Sequence, residues 1–315
     1  MNHTHISPRP WKWLAPLMLS SLVAACGGGD PVLGFDGTGT APPAVNPVVV
    51  VVPAGPPLVA PPGGALIPLG VASTFGAFGG SAGITNQGTS TVIHGDIGTT
   101  GASTLITGFH SRTPGCIYTE TGSNQGQVNG NISTDAPPPT IACPTEGTAA
   151  TKAVADAAFA DATLAYNDLA GRPIGSDPGA GNLANLVLAP GVYTAAGGTF
   201  MIQGGNLTLD GRGDPNAAWV FQMAQTLTVG GPGAAFPSDV VLINGAQAKN
   251  VFWQVGSAAT INAGGGGNMV GTIISRSGVT FSTAGNAAIT RLEGRALSLV
   301  ASVTMVNTVI TVPAP

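Results

Sequence analysis

The chain has 315 residues, of which only 8% are charged, and its formal net charge at pH 7 is −4. An average soluble domain carries roughly 25% charged residues, so a basic nucleic-acid-binding surface or a cluster of charged catalytic groups has little material here. The 48 glycines, the 26 prolines and the 5% aromatic content favour short strands joined by tight turns, which predicts an all-β domain.

The N-terminus resembles a secretory signal peptide. Arg9 and Lys12 precede an apolar run over residues 13–25, and that run is shorter than the about 20 apolar residues of a membrane-spanning helix. It ends in the letters LVAAC, which resemble a bacterial lipobox. In such signals the cysteine, here Cys26, is lipidated and becomes the first mature residue. Residues 1–25 are therefore predicted to be a lipoprotein signal peptide, with an ordinary cleaved signal as the alternative.

A lipid anchor would place the protein at a membrane surface. Acyl chains on Cys26 would hold it to the bilayer by burying CH₂ groups, at about 0.8 kcal/mol each. Gly27 follows the cysteine, at the position where an aspartate would favour retention at the inner membrane. We therefore expect an exported outer-membrane lipoprotein that faces the cell exterior.

Residues 26–65 are rich in proline, glycine and valine and are predicted to form a stalk. Proline-rich linkers stay extended at about 3.1 Å per residue. The valine run over residues 48–52 could instead be a strand, but prolines stand on both sides of it, which disfavours that alternative. Short β-type runs separated by glycine follow, so residues 66–315 are predicted to form the folded domain.

The two remaining cysteines, Cys116 and Cys143, are predicted to form a disulfide, the default for a cysteine pair in an exported chain. A metal site and a free thiol are the alternatives. Neither cysteine has a second cysteine or a histidine at the spacing of a metal site, so no metal is expected.

One long helix is predicted over residues 148–170, a stretch without glycine or proline in which alanine dominates. Gly171 and Pro173 after it are typical of a helix end. A helical period places its apolar side chains on two stripes, with Val154, Ala158, Ala165 and Leu169 on one and Phe159 and Tyr166 on the other. A single long helix beside many strands is predicted to lie along a β-structure and cover it.

The last third of the chain contains an internal repeat. Its copies are VFQMAQTLTV (220–229), FWQVGSAATI (252–261), TIISRSGVTF (272–281) and, with one extra residue, RALSLVASVTM (295–305). Each copy consists of a strand, a corner and a second strand that reads apolar, threonine, apolar. Five threonines of this kind recur every 20 to 32 residues: Thr208, Thr228, Thr260, Thr280 and Thr304.

Repeats of this length are the mark of a solenoid. Stacked coils place equivalent residues about 4.8 Å apart on neighbouring strands. Where the apolar neighbours of a threonine point inward, the threonine itself points outward. The five threonines are therefore predicted to form a column on one face.

Enzymatic chemistry has little support in the sequence. Glycoside hydrolysis needs two carboxyl groups within about 5–10 Å of each other, whereas Asp210 and Asp214 lie in LDGRGDPN, which is typical of a polar turn. Calcium binding by these two aspartates is the alternative. We predict no catalytic residues, no cofactor and no nucleic-acid partner.

Three arginines, Arg276, Arg291 and Arg295, lie close together in the sequence with Glu293 among them. They are predicted to form a solvated edge or a structural ion pair at a corner of the coil. Ligand recognition by these arginines is the alternative.

Several segments, taken in order, carry a resemblance to a known family. They are GITNQGTSTVIHGDIG (83–98), AYNDLAGRP (165–173), LVLAPGVYT (186–194), WVFQMAQTLTV (219–229), GAQAKNVFWQVGSAATI (245–261), VGTIISRSGVTF (270–281) and LEGRALSLVASVTM (292–305). Together they resemble the microbial ice-binding protein family with domain of unknown function 3494, over nearly all of residues 70–312. The resemblance implies a discontinuous right-handed β-solenoid of triangular cross-section, with the long helix packed along one side.

Members of that family bind ice with one flat solenoid face, often through repeats of Thr-Ala/Gly-x-Thr/Asn. Thr283, Ala284, Gly285 and Asn286 match that pattern, whereas residues 262–265 in the preceding coil do not. The resemblance implies an antifreeze-like protein that adsorbs to ice, slowing its growth or recrystallisation or attaching the cell to it. Thr283, Ala284 and Asn286 are the expected ice-binding residues, together with the five repeat threonines.

The alternative is a cell-surface adhesive or carbohydrate-binding module without ice activity. Such a module needs aromatic side chains exposed on a strand face, because sugar rings stack on them. The candidates Trp219, Phe221, Phe252 and Trp253 lie in strongly apolar strands and are predicted to be core.

Overall fold

The computed structural model of the protein describes residues 67–231 and 237–314. The predicted signal peptide, the predicted lipidation site Cys26 and the predicted stalk lie outside the described residues. Within the two described ranges, no helix combines the length and the apolar character needed to cross a membrane.

The described chain is mostly β, with one long helix and short strands. The helix α1 is Ala149–Gly171, and short 3-10 helices occupy Gly70–Thr74, Ser103–Leu105, Pro178–Gly181 and Ala248–Asn250. The strands in chain order are β1 (Phe75–Gly79), β2 (Ile84–Asn86), β3 (Thr91–His94), β4 (Asp96–Ala102), β5 (Ile106–Thr107), β6 (Phe109–His110), β7 (Ile117–Tyr118), β8 (Gly126–Val128), β9 (Ile132–Asp135), β10 (Val187–Leu188), β11 (Gly191–Thr194), β12 (Phe200–Ile202), β13 (Leu207–Asp210), β14 (Trp219–Met223), β15 (Leu227–Val229), β16 (Val240–Ile243), β17 (Val251–Val255), β18 (Ala258–Ile261), β19 (Asn268–Ser275), β20 (Gly278–Phe281), β21 (Thr290–Ser298), β22 (Val303–Met305) and β23 (Thr308–Thr311).

These strands stack into a three-sided solenoid, which confirms the predicted architecture. The first side, here called the threonine face, is a sheet with the order β12-β15-β18-β20-β22-β2-β5. The second side, the helix face, contains β11, β14, β17, the second halves of β19 and β21, and then β1, β4 and β9. The third side, the charged face, contains β10, β13 and β16, followed by the first halves of β19 and β21 and then β23, β3, β8 and β6. Apart from β6 with β7, the strand pairs of the described residues are parallel.

Two strands bend around the edge between the charged face and the helix face. Gly271 in β19 lies opposite Gly294 in β21 at that bend, and Gly271 has a φ of 98°, in the left-handed region that favours glycine. A Cβ atom on Gly294 would collide with the backbone of Gly271. Glycine at both positions therefore lets the two strands bend around this edge while their backbones stay in contact.

The order of the coils in space differs from their order in the chain. Strands β1, β2 and β3 pair with β21, β22 and β23, so the N-terminal coil stacks on the C-terminal one. The chain then reaches the far end of the solenoid at β9 and must return to β10 and β11 at the other end. Helix α1 makes this return: its 23 residues span about 35 Å, which matches the about 34 Å between the first and last of eight stacked strands.

The interior of the solenoid is apolar and rich in stacked aromatic rings. Phe221 and Trp253 stack with their centroids 4.0 Å apart, and Tyr193 stacks on Phe221 at 5.5 Å. The indole of Trp219 donates to the carbonyl of Leu188 at 3.2 Å, so its one polar group is satisfied. Trp219, Phe221 and Trp253 are fully buried, as predicted, and they present no ring to solvent.

A second apolar layer joins α1 to the helix face. The side chains that α1 buries have helical spacing and are mostly alanines, which let the helix approach the sheet closely: Ala155, Ala158, Ala162, Ala165 and Leu169. The predicted core residue Phe252 lies buried in this layer. Val154 was predicted to share a stripe with Ala158, but it is 44% exposed, and the buried stripe runs through Ala155 instead.

Both ends of α1 are capped. Thr148 and Thr151 form a capping box at the start, with each side chain bonded to the other residue's backbone N–H. At the other end, the Gln222 side chain of β14 donates to the carbonyl of Leu169 at 2.8 Å. The helix ends one residue later than predicted, at Gly171, and the next residue is extended, as expected for the residue before a proline.

The predicted disulfide is confirmed. Cys116 and Cys143 are bonded, with their Cα atoms 5.0 Å apart. The bond ties the loop after β6 to the loop that precedes α1, and both cysteines are fully buried.

Candidate functional site

The threonine face carries a continuous column of threonines. The strand register pairs Thr228 with Thr260, Thr260 with Thr280 and Thr280 with Thr304. It then continues from Thr304 to Thr85, and from Thr85 to Thr107, in the N-terminal coils. Each of these threonines is partly exposed, so six threonine side chains follow one another at the spacing of neighbouring strands, about 4.8 Å.

The local sequence holds these threonines outward. Residues on either side of each column position point into the solenoid and are buried, as the pattern of β15, β18 and β22 shows. Threonine is β-branched, so its first side-chain torsion is restricted in a strand. The backbone and the side-chain chemistry together make a stiff row.

The threonine face is also uncharged, and small residues accompany most of the column. Two residues before five of the six column positions, on the same side of the sheet, the side chains are small or absent: Thr226, Ala258, Gly278, Ser302 and Gly83. The residue two before Thr107 is Leu105, which is 37% exposed. None of the seven strands of this face contains an aspartate, glutamate, lysine, arginine or histidine. In β12, the strand beyond Thr228, the residue at the column position is Met201 and not a threonine.

The structure brings together four of the five repeat threonines: Thr228, Thr260, Thr280 and Thr304. The prediction for Thr208 is wrong, since Thr208 lies in β13 on the charged face, between Val187 and Val241. The apolar, threonine, apolar pattern marks any strand with one buried side. It does not say on which of the three sides of the coil the strand lies.

Sequence reasoning missed Thr85 and Thr107. Both follow an isoleucine that is fully buried, Ile84 and Ile106, so a short apolar-threonine signal was present. Their place in the column depends on the N-terminal coil stacking on the C-terminal one, and the repeat pattern does not contain that information.

The matching stretch Thr283 to Asn286 is a turn after β20 and not part of a strand. The Thr283 hydroxyl donates to the carbonyl of Ala263 at 2.7 Å, and the Asn286 amide donates to the same carbonyl at 2.8 Å. Ala284 is exposed at the tip. The stretch therefore lies at a corner of the coil, which the hydrogen bonds of its two polar side chains hold together, and the ice-binding role of Thr283, Ala284 and Asn286 stays a prediction.

The two aspartates of LDGRGDPN form turns, as predicted. Asp210 accepts a hydrogen bond from the backbone of Arg212 at 2.9 Å and one from the Asn244 side chain at 2.8 Å. Asp214 accepts one from the backbone of Asn216 at 2.8 Å. The bond from Arg212, followed by the bond from Asn244, lowers the pKa of Asp210 below its ordinary value.

The three arginines do not form one site. Arg276 and Arg291 are exposed, whereas Arg295 is only 5% exposed. Arg295 donates to the carbonyl of Ser73 at 2.8 Å, and burial lowers its pKa to about 10. The prediction of a solvated edge or ion pair is wrong for Arg295, which instead pins the N-terminal segment to β21.

Comparison with known proteins identifies the family. The ice-binding-like family matches residues 78–311 of the chain, and the chain belongs to that family. An ice-binding protein of Nostoc sp. is 37% identical over 237 residues, which cover 75% of this chain and 71% of the relative. An ice-binding protein of Flavobacterium frigoris is 32% identical over 255 residues, which cover 79% of this chain and 77% of the relative.

Solved structures agree with this assignment. The domain-of-unknown-function 3494 domain of Shewanella frigidimarina ice-binding protein 1 superimposes with a TM-score of 0.61 at 29% identity, covering 78% of this chain and 96% of that domain. The family resemblance expected from the sequence is therefore confirmed.

Proposed function

We propose that the protein binds ice through the threonine face, and that it slows ice growth or recrystallisation or attaches the cell to ice. The observation that carries the proposal is the column of six threonines in strict register on an uncharged sheet. The relatives from Nostoc and Flavobacterium frigoris, both named ice-binding proteins, support it.

The chemistry of the column suits a water lattice. Each threonine offers a hydroxyl that donates and accepts hydrogen bonds, beside a methyl group that does not compete for them. The parallel strands fix the spacing between successive hydroxyl groups. Because the face is rigid before binding, little conformational entropy is lost when water orders against it.

This function needs no reacting group, cofactor or metal, and we propose a non-enzymatic role. The large aromatic side chains that would favour a sugar-stacking surface on the strands are buried, including Trp219 and Trp253.

We also propose a cellular location and a membrane anchor for the protein. Residues 1–25 act as a lipoprotein signal peptide, residues 26–65 act as a stalk from the lipidated Cys26, and residues 66–315 form the ice-binding domain at the cell exterior. The letters LVAAC at residues 22–26 support the anchor. Labelling cells with a radioactive or alkyne-tagged fatty acid tests it, because the Cys26→Ala variant should lose the label and the parent should carry it.

The test of ice binding compares two matched variants. Thr260 lies inside the threonine column, between Thr228 and Thr280. Thr208 also stands between two buried apolar residues of its strand but lies on the charged face. Thermal hysteresis and ice-recrystallisation inhibition are measured for the parent, Thr260→Tyr and Thr208→Tyr. We expect activity in the parent, a large loss in Thr260→Tyr and nearly full activity in Thr208→Tyr. A folded parent without either activity would overturn the proposal.

A further inference from the structure

A polar groove lies away from the threonine face, where the first turn of α1 meets β4, β9 and the loop after β6. Its volume is about 710 Å³, within the size range of small-molecule sites. Asp96, Glu146, Asn131, Ser133 and the exposed Arg112 line it. The groove therefore offers hydrogen-bond acceptors and donors side by side.

The two carboxylates of the groove are held in fixed positions. Asp96 accepts hydrogen bonds from the backbone of Asn131 and from the hydroxyl of Thr74, both at 2.6 Å. Glu146 accepts from the hydroxyl of Ser111 at 2.8 Å and from the hydroxyl of Tyr118. Among the described residues neither carboxylate has a salt-bridge partner, so each keeps lone pairs for a further donor.

The groove also contains a polar group without a partner. Ser133 is only 3% exposed and lines the groove, and its hydroxyl has no hydrogen bond to any described residue. It is not among the buried side-chain oxygens of the described chain that lack a partner, so this hydroxyl opens onto the groove. A ligand hydroxyl there can donate to it or accept from it.

These groups define the class of ligand. Fixed carboxylates disfavour an anion, and the guanidinium of Arg112 disfavours a cation. A bound calcium ion would need six or more converging oxygens. In the described part of the chain Asp96 belongs to no cluster of metal-binding side chains, and Glu146 is grouped only with the two cysteines of the disulfide. A neutral ligand with many hydroxyl groups fits, because each hydroxyl both donates to a carboxylate and accepts from an arginine, an asparagine amide or a serine.

We propose that this groove binds a short neutral saccharide. Recognition occurs through hydrogen bonds along the groove and without ring stacking, so the affinity is modest, with a Kd on the order of millimolar. The inference does not rest on ice binding, since the groove and the threonine face share no residue.

Nuclear magnetic resonance titration tests the inference. The isotope-labelled protein is titrated separately with maltose, cellobiose, lactose and diacetylchitobiose, and backbone amide shifts are followed. We expect at least one disaccharide to shift the amides of Asp96, Asn131 and Ser133 in a saturable way. Arg112→Ala and Ser133→Ala should each weaken that binding about fivefold, the factor expected for one lost hydrogen bond.

Two controls make the outcome decisive. Arg276→Ala removes an exposed arginine elsewhere and should leave the saccharide affinity unchanged, and Arg112→Ala should leave thermal hysteresis unchanged. The inference is overturned if no disaccharide shifts the groove amides, or if Arg112→Ala and Ser133→Ala bind as tightly as the parent. It is also overturned if calcium chloride, and none of the sugars, saturates those amides.

Discussion

The threonine face and the charged face are built by the same coils from the same kind of strand, yet they present different chemistry to solvent. In β15, β18, β20 and β22 of the threonine face the outward residues are threonines and smaller side chains, without charge. On the charged face the outward positions include Asp210, Arg291, Glu293 and His94. The inward residues of both faces belong to one apolar core. The fold therefore supplies a rigid scaffold, and the outward residues of one side decide which surface can order water.

The largest effect is expected from moving the chemistry of the charged face onto the threonine face. Thr280→Arg places a long charged side chain in the middle of the column, where it interrupts the flat surface and holds its own hydration water. Thermal hysteresis should fall to the level of buffer, while circular dichroism and the melting temperature should stay close to those of the parent. Full hysteresis in a folded Thr280→Arg protein would contradict the role of the column.

Removing the disulfide should weaken the scaffold that both faces share, without changing a residue of the threonine column. The bond closes a loop with a sequence separation of 27, so replacing Cys116 and Cys143 together by serine should lower the free energy of unfolding by about 3–4 kcal/mol. Urea denaturation measures the change. Near 0 °C, where the variant remains folded, ice activity should be retained, and its loss there would connect the disulfide to the site.

A smaller effect is expected at the turn that matches the family motif. Thr283→Ala removes the hydrogen bond to the carbonyl of Ala263, which should lower the free energy of unfolding by about 1 kcal/mol. Ice-recrystallisation inhibition should change little, because the turn lies outside the strand array. A collapse of inhibition in a folded Thr283→Ala protein would move the ice-contacting surface to the turn.

The smallest effect is expected from pH. The strands of the threonine face contain no titratable side chain, so hysteresis should be constant between about pH 5 and 9. The pKa of Asp210 on the charged face is lowered in the folded protein. Its contribution to stability is therefore present above the unfolded pKa and is lost as the pH falls through the lower folded value. Thermal melts should show that decline only in acid, and a decline in hysteresis at neutral pH would contradict the assignment.

Much of this fold could be predicted from the sequence because it follows from local periodicity. The repeat fixed the register of the later coils, and the alignment of residues 220–229 with residues 252–261 is the one that the paired strands show. Local periodicity also predicted helix α1 and the buried aromatic residues. The disulfide was predicted differently, from the presence of one cysteine pair in an exported chain.

The site was predicted less completely because it depends on contacts between distant parts of the chain. Thr208 and Thr228 have the same local pattern, and only the closed coil places them on different sides. Thr85 enters the column through a partner more than two hundred residues away in sequence, Thr304. The sequence of the turn at Thr283 matches the family motif, but its conformation depends on a hydrogen bond to the neighbouring coil.

The most direct test of the central claim is the fraction of labelled protein that enters a slowly growing ice hemisphere. Thr228→Tyr and Thr208→Tyr change equivalent threonines of one coil that lie on different faces. We predict that Thr208→Tyr enters the ice as the parent does and that Thr228→Tyr is largely excluded into the liquid. Equal incorporation of the two variants would show that ice binds somewhere other than the threonine face.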